Sequence, residues 1–163
     1  MRILRYPDPG LKQRAVEVDP VADPTLRDLV ARMARAMYDA EGIGLAATQV
    51  GVLKRVIVYD LEDGLHALCN PRIVERSDDL EEGEEGCLSV PGISVPVRRS
   101  ASVVCEGVSL DGKRVVIEAE GLLARLFQHE IDHLDGTVIL DRLDPEQRKA
   151  ALKAYHEAQS QSA

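Results

Sequence analysis

The stretch Q-H-E-I-D-H-L at residues 128–134 places His129, Glu130 and His133 at i, i+1 and i+4. On a helix, residues four apart stand one turn above each other on a common face, so both imidazoles can grip one metal ion with Glu130 beside it. The surrounding pattern is helical. Gly121 opens it, Leu122, Leu126, His129 and His133 form one stripe, and Leu123, Phe127, Ile131 and Leu134 form an adjoining apolar one, with Gly136 as the stop signal. An open catalytic metal site takes three protein ligands and a water, so the motif leaves one ligand to be found elsewhere. A helix carrying two hydrogen-bonded histidines and no metal is the other reading of these residues alone.

The chain has three cysteines, Cys69, Cys87 and Cys105, an odd number without a C-x-x-C pair, which argues against a disulfide framework. Cys69 and Cys105 fall in apolar, strand-like runs, where a free cysteine is a small buried hydrophobe. Cys87 differs, because it sits among small and polar residues in E-G-C-L-S (residues 85–89), followed by Pro91 and Gly92. It is either a structural cysteine or the missing ligand, and one Cys with two His is an open-site set for Zn²⁺ or Fe²⁺.

The other elements follow from periodicity and turn chemistry. Asp23 as N-cap and Pro24 at the first helical position introduce Leu26, Leu29, Val30, Met33 and Met37 at helical spacing, with an end near Ala40. The next stretch, E-G-I-G-L-A-A-T-Q-V-G (residues 41–51), is a tight turn after a helix cap or a backbone that another chain approaches closely. Residues 55–60 and 65–69 read as a hairpin that Asn70-Pro71 breaks and residues 73–74 resume. The acidic run at residues 78–86 reads as a solvated loop, and residues 102–106 and 114–118 as strands joined around Asp111-Gly112. Asp144-Pro145 with Gln147 opens a last helix that fades into Q-S-Q-S-A. Helices interspersed with antiparallel strands imply an α+β fold. A length of 163 residues implies one domain, with about 144–163 as terminal helix and frayed tail.

Composition removes several function classes. Asp and Glu outnumber Lys and Arg 28 to 20, giving a net charge of −8 and no overall basic field for nucleic acid or an anionic membrane. With no Trp and one Phe, a base-stacking platform is not expected. The opening M-R-I-L-R-Y-P is too short and too charged for a signal peptide, and no apolar run reaches membrane-spanning length, so a cytoplasmic protein is expected.

Three stretches, G-I-G-L-A-A-T-Q (42–49), E-G-C-L-S (85–89) and Q-H-E-I-D-H-L (128–134), resemble in order and separation the signature motifs of bacterial peptide deformylases. The resemblance extends to Y-P-D-P-G-L, the V-G after Gln49, Asn70-Pro71, L-S-V-P-G, D-G-K and E-A-E-G-L-L, and so covers nearly the whole chain to Leu143. It implies antiparallel sheets packed around a central metal-binding helix, flanked by an N-terminal and a C-terminal helix. It implies removal of the N-formyl group from the N-terminal methionine of nascent polypeptides, releasing formate.

On matching residues, the resemblance makes Cys87, His129 and His133 the metal ligands and Glu130 the general acid and base. The Gln49 side-chain amide and the Leu88 backbone N–H become donors to the anionic intermediate. Gly42, Ile43, Gly44 and Leu45 become the segment whose backbone binds an extended substrate. Ile43, Leu122, Leu126 and His129 line the methionine pocket, and Glu85 orients the ligands from behind. The implied cofactor is one divalent ion, Fe²⁺ in the cell with Zn²⁺, Ni²⁺ or Co²⁺ as substitutes, which lowers the pKa of its water toward neutrality. After Gly92 many relatives carry an arginine and a V-P-R run where this chain reads I-S-V-P-V-R-R, so the family's substrate-backbone contacts are not carried over to that loop.

The expected partner is a formyl-methionyl nascent peptide, with the protein a monomer. In the last helix Arg148, Lys149 and Lys153 are offset by Asp144, Glu146 and Glu157, so ribosome association through it would be weak and sequence-specific nucleic-acid binding is not expected. Two alternatives stand beside this reading. H-E-x-x-H alone indicates a metallopeptidase, against which Cys87 and Gln49 argue; a non-catalytic homologue that binds metal or formyl-peptides is disfavoured by Glu130 and Gln49.

Overall fold

The computed structural model describes residues 1–161 and is an α+β structure with two antiparallel sheets and three α-helices. Helix α1 (Leu26–Asp39) buries Leu26, Leu29, Val30, Met33 and Met37, the stripe its periodicity predicts. Its start differs from expectation. The cap position is Thr25, because Oδ1 of Asp23 accepts the Thr25 N–H at 2.9 Å while Oδ2 takes Lys54 Nζ at 2.8 Å, which holds Asp23 two residues before the cap.

The glycine stretch after α1 becomes strand β1 (Gly44–Ala46), followed by a single 3-10 turn. It is the outermost strand of a five-stranded sheet in which β1, β2 (Val56–Tyr59), β3 (His66–Arg76), β6 (Ser102–Val108) and β7 (Arg114–Glu120) lie side by side. Every residue of β2 is buried. Val56 and Val58 face the α1 cluster and Ile57 and Tyr59 face the opposite one, which is why V-I-V-Y reads as a continuous apolar run.

Strand β3 was expected to break at Asn70-Pro71, and it does not. Asn70 adopts φ +50 and the pairing with β6 shifts register between Cys69 and Arg72, so the extra residue is absorbed as a bulge. The Asn70 side chain is occupied by the N-terminal arm, its Oδ1 accepting from Val18 N–H at 2.9 Å and its Nδ2 donating to Val18 O at 2.8 Å.

The acidic run is also a strand. Strand β4 (Leu80–Gly86) pairs with β5 (Ser94–Ser100) in a separate two-stranded sheet, with Glu81 opposite Arg99 and Glu82 opposite Arg98. Glutamates are poor strand formers, but this strand keeps most of them in water and turns Glu85 inward. The I-S-V-P-V-R-R segment, expected as a loop, supplies β5, burying Val95, Val97 and Arg99 on one face at period two.

Helix α2 (Gly121–Leu134) lies between the two sheets. Ala124, Leu126, Phe127, Ile131 and Leu134 pack on the five-stranded sheet, whose other face carries α1. The buried Cys69 and Cys105 fill these two clusters as small hydrophobes. Helix α3 (Pro145–Gln161) begins with reciprocal bonds between Asp144 and Gln147 and anchors Ala151 and Tyr155 among Val90, Val95 and Val97. It continues through Gln161 where fraying was expected; Ser162 and Ala163 lie outside the described residues. No helix among the described residues is long and apolar enough to cross a membrane.

Candidate active site

Cys87 follows the end of β4, and α2 delivers the two histidines. Cys87 Sγ lies 3.3 Å from His133 Nε2, which lies 3.2 Å from His129 Nε2, and the three ligand atoms are all within 4.8 Å of one another. A tetrahedral ion with bonds of about 2.0–2.1 Å to nitrogen and about 2.3 Å to sulfur requires N···N near 3.3 Å and S···N near 3.6 Å. The donor set and its spacing therefore fit one divalent cation of the Zn²⁺ or Fe²⁺ type.

Behind His129, Glu85 Oε1 lies 2.8 Å from Nδ1, which fixes Nδ1 as the protonated nitrogen and leaves the Nε2 lone pair facing His133 and Cys87. Glu85 is 5 % exposed and also takes Arg99 Nη2 and Nε, each at 2.9 Å, and Arg125 Nη1 at 2.6 Å. Burial alone would raise the Glu85 carboxyl, but the bonds from His129 and Arg99 and the Arg99 charge hold it down at about 2. Burial pushes His129 down, yet Glu130, Cys87 and Glu85 together hold it well above the usual histidine range. Burial, with His129 and Arg99 nearby, pushes His133 well below that range. The surroundings thus favour one positive charge at this point, a proton on His129 or a cation between the ligand atoms.

Glu130 is buried and its Oε1 has no hydrogen-bond partner, nor does Nδ1 of His133. Burial, helped by the Glu85 charge, raises the Glu130 carboxyl to about 7 against the pull of His129 and Arg99. A buried carboxylate oxygen left unbonded is unfavourable unless something else binds it, which makes Glu130 a candidate functional group. Its other oxygen rests on β1: a Cβ at Gly44 would collide with Oε2 of Glu130, and one at Gly42 would come within 2.6 Å of the Leu88 side chain. Close approach explains both glycines, and neither has a positive φ.

Gln49 is fully enclosed in the 3-10 turn after β1. Its Oε1 accepts Ala46 N–H at 3.0 Å, which orients Nε2 toward Ser89 Oγ at 3.1 Å and Cys87 Sγ at 3.7 Å. Gln49, Leu88 and Glu130 all border a groove of about 500 Å³ running between β1 and the end of β4. Leu126 forms buried floor while Ile43 and Leu122, 45 % and 56 % exposed, stand at the mouth. Leu45 does not border it: the side chain is buried with α1, so only its backbone can face a ligand. A depression of about 540 Å³ over β3, β6 and β7 is as large, but neither histidine nor cysteine lines it.

Sequence reasoning missed Arg99, Arg125, Asp132 and Ser89. Arg99 Nη1 bonds Asp132 at 2.7 Å, and Asp132 is held in turn by Arg142. The signals were present, since Arg99 shares the period-two face of Val95 and Val97, and Arg125 precedes His129 by one helical turn.

Residues 1–149 match the polypeptide deformylase family. The chain is 46 % identical over 156 residues to the peptide deformylase of Acidothermus cellulolyticus, covering 94 % of this chain and 84 % of that one. It is 42 % identical to that of Thermodesulfovibrio yellowstonii, covering 95 % and 96 % of the two chains. Among solved structures, the peptide deformylase of Legionella pneumophila superposes with a TM-score of 0.92 at 38 % identity, over 99 % of this chain and 96 % of that one. The Synechococcus elongatus enzyme in complex with actinonin superposes with a TM-score of 0.90 at 39 % identity, over 96 % and 86 %.

Proposed function

The chain belongs to the polypeptide deformylase family and is an enzyme of that family, and from this we propose how its own residues remove the formyl group from a nascent N-terminal methionine. The observation that carries the reading is the meeting of the Cys87, His129 and His133 ligand atoms beside a buried, unbonded oxygen of Glu130.

The substrate backbone lies along the free sheet edge at Gly44 of β1 and at Gly42 and Ile43 just before it, adding a strand to the sheet, with Leu45 contributing main chain only. The methionine side chain fits between Ile43, Leu122 and Leu126, where an unbranched thioether finds apolar contact. Cys87, His129 and His133 would hold a divalent cation, which would supply Lewis acidity for activating water near neutral pH. Glu130 takes the proton of the attacking water and returns it to the departing amine, and burial of its carboxyl favours the protonated form that the second transfer needs. Gln49 Nε2 and the Leu88 N–H donate to the oxygen that becomes negative. Glu85 touches no substrate in this account and holds His129 from behind. Formate and a free amino terminus leave.

In this reading Fe²⁺ is the cation used in the cell, and Zn²⁺, Ni²⁺ or Co²⁺ are substitutes, since one thiolate and two imidazoles accept any of them. The reading places the enzyme in the cytoplasm as a single-domain monomer acting on formyl-methionyl nascent peptides, with at most weak ribosome association through α3. The shared apolar cluster joining α3 to β5 supports the single domain.

Formate release from a formyl-Met peptide, assayed anaerobically with metal analysis, tests the reading. Wild type should turn over, and Glu130→Gln should retain metal with turnover reduced by about 10² or more. A metal-replete wild type that releases no formate, or a Glu130→Gln protein of full activity, would remove it.

A further inference from the structure

Arg125 stands one helical turn before His129 on α2, 14 % exposed, and none of the steps above uses it. Its Nη1 donates to Glu85 Oε2 at 2.6 Å and to Val97 O at 2.8 Å, while Nη2 donates to Glu81 O at 2.9 Å. One guanidinium thus ties three places together: the β5 backbone, the β4 backbone, and the carboxylate that orients His129. The plane of the guanidinium covers Gly83, where a Cβ would come within 3.0 Å of Cζ and Nη2. Residue 83 is free of a side chain at the point where this group crosses the strand.

The surroundings say what such a tie is for. Glu84, Glu85 and Gly86 of β4 form the groove wall opposite β1. A two-stranded sheet has little stability of its own, so its place is set by what it is fastened to. The apolar side chains of β5 join the cluster around Ile139, Leu140 and α3. Gln128 bonds the Ser100 backbone and Asp132 bonds Arg99, both at β5. Among the described residues, Arg125 is the α2 side chain that bonds the β4 backbone, and it does so beside the groove.

We propose that Arg125 is a positioning residue that couples the β4 wall of the substrate groove to the orientation of His129, through its shared hold on Glu81, Val97 and Glu85. The proposal rests on the reading of His129 as a metal ligand and of the groove as the peptide site. Displacing the wall pulls on the same guanidinium that fixes one oxygen of Glu85, while the other oxygen fixes the His129 ring. Groove width and ligand geometry are therefore set together. A planar fork with several donors can span these three acceptors, and an ammonium cannot.

The test compares wild type with Arg125→Met and Arg125→Lys in three measurements: KM and kcat for a formyl-Met tripeptide, the half-life of the visible Co²⁺ absorption in excess chelator, and the melting temperature. Arg125→Met should raise KM by about tenfold with kcat changed less than about threefold, and shorten the Co²⁺ half-life by about 10–100-fold. Arg125→Lys keeps a cation beside Glu85 without reaching both strands, so it should recover the Co²⁺ half-life while KM stays raised. A merely structural role would lower the melting temperature and leave KM and the Co²⁺ half-life within twofold of wild type, which would overturn the coupling. If Arg125→Met does not fold, Arg125→Lys decides alone, since a wild-type KM there overturns it. A wild type that neither binds Co²⁺ nor releases formate would instead remove the underlying reading of the site.

Discussion

Gly44 and Glu130 are in direct contact across the groove floor: a β-carbon on residue 44 would overlap Oε2 of the Glu130 carboxylate. The edge strand and the histidine-bearing helix are therefore fitted to each other at the carboxyl that the proposed mechanism uses as acid and base. Gly44→Ala should push Glu130 aside and lower kcat by about 10², the scale of a misplacement near 1 Å, with melting temperature little changed. Steady-state kinetics with a thermal melt check this; a Gly44→Ala enzyme of normal kcat would show that Glu130 tolerates displacement.

Gln49 is held by two bonds that leave Nε2 facing the cysteine, the geometry of a preset donor. Gln49→Leu should lower kcat by about 10²–10³ with KM changed little, as loss of one donor to a developing oxyanion does. If KM rises and kcat holds, Gln49 binds the ground state and the assignment of its role fails.

Removal and return of metal should register in stability, because Cys87, His129 and His133 meet only in the folded chain. At a concentration of metal about 100 times its dissociation constant, binding adds about 2.7 kcal/mol, or roughly 5–10 °C in melting temperature for a chain of this size. Calorimetry of chelator-treated protein with and without Co²⁺ should show this rise, and His133→Ala should abolish it.

Alkaline pH should weaken the fold through three buried acids. Burial pushes Cys69 up to about 11 and Cys105 to about 12, and burial, with Cys105 and Asp63 nearby, pushes Tyr59 to about 12. Each ordinary value is lower, 9.0 for cysteine and 10.0 for tyrosine. Above pH 9 the unfolded chain loses these protons before the folded one does, so the stabilisation is full below that pH and is lost progressively up to about 12. Urea midpoints should fall across this window and less steeply in Cys69→Ala/Cys105→Ala. In the native protein at pH 8, iodoacetamide should modify Cys87 and spare the other two until urea is added.

Local sequence carried much of this molecule. The spacing of His129 and His133, the stripe of α1, the Asp144/Gln147 cap and the buried character of Cys69 and Cys105 are properties of neighbouring residues along the chain, and the structure has them where the sequence puts them. Strand β4 was missed because glutamate has no local preference for a strand; pairing with Arg98 and Arg99 supplies it. Asn70-Pro71 looked like a break because a bulge exists only relative to a partner strand.

The sequence by itself determined the reactive groups, a thiol, two imidazoles and a carboxyl, together with the resemblance that gave each a role. Only the tertiary structure decided their state. It brought the thiol of Cys87 within 3.3 Å of His133 Nε2, buried Glu130 with an unbonded oxygen, and set Arg99 and Arg125 on the one carboxylate that fixes His129. The physical reason is range. Helical spacing and capping act over a few residues and can be read from them, whereas burial, charge and donor direction at a site depend on groups forty positions apart in sequence that meet only when the two sheets close on α2.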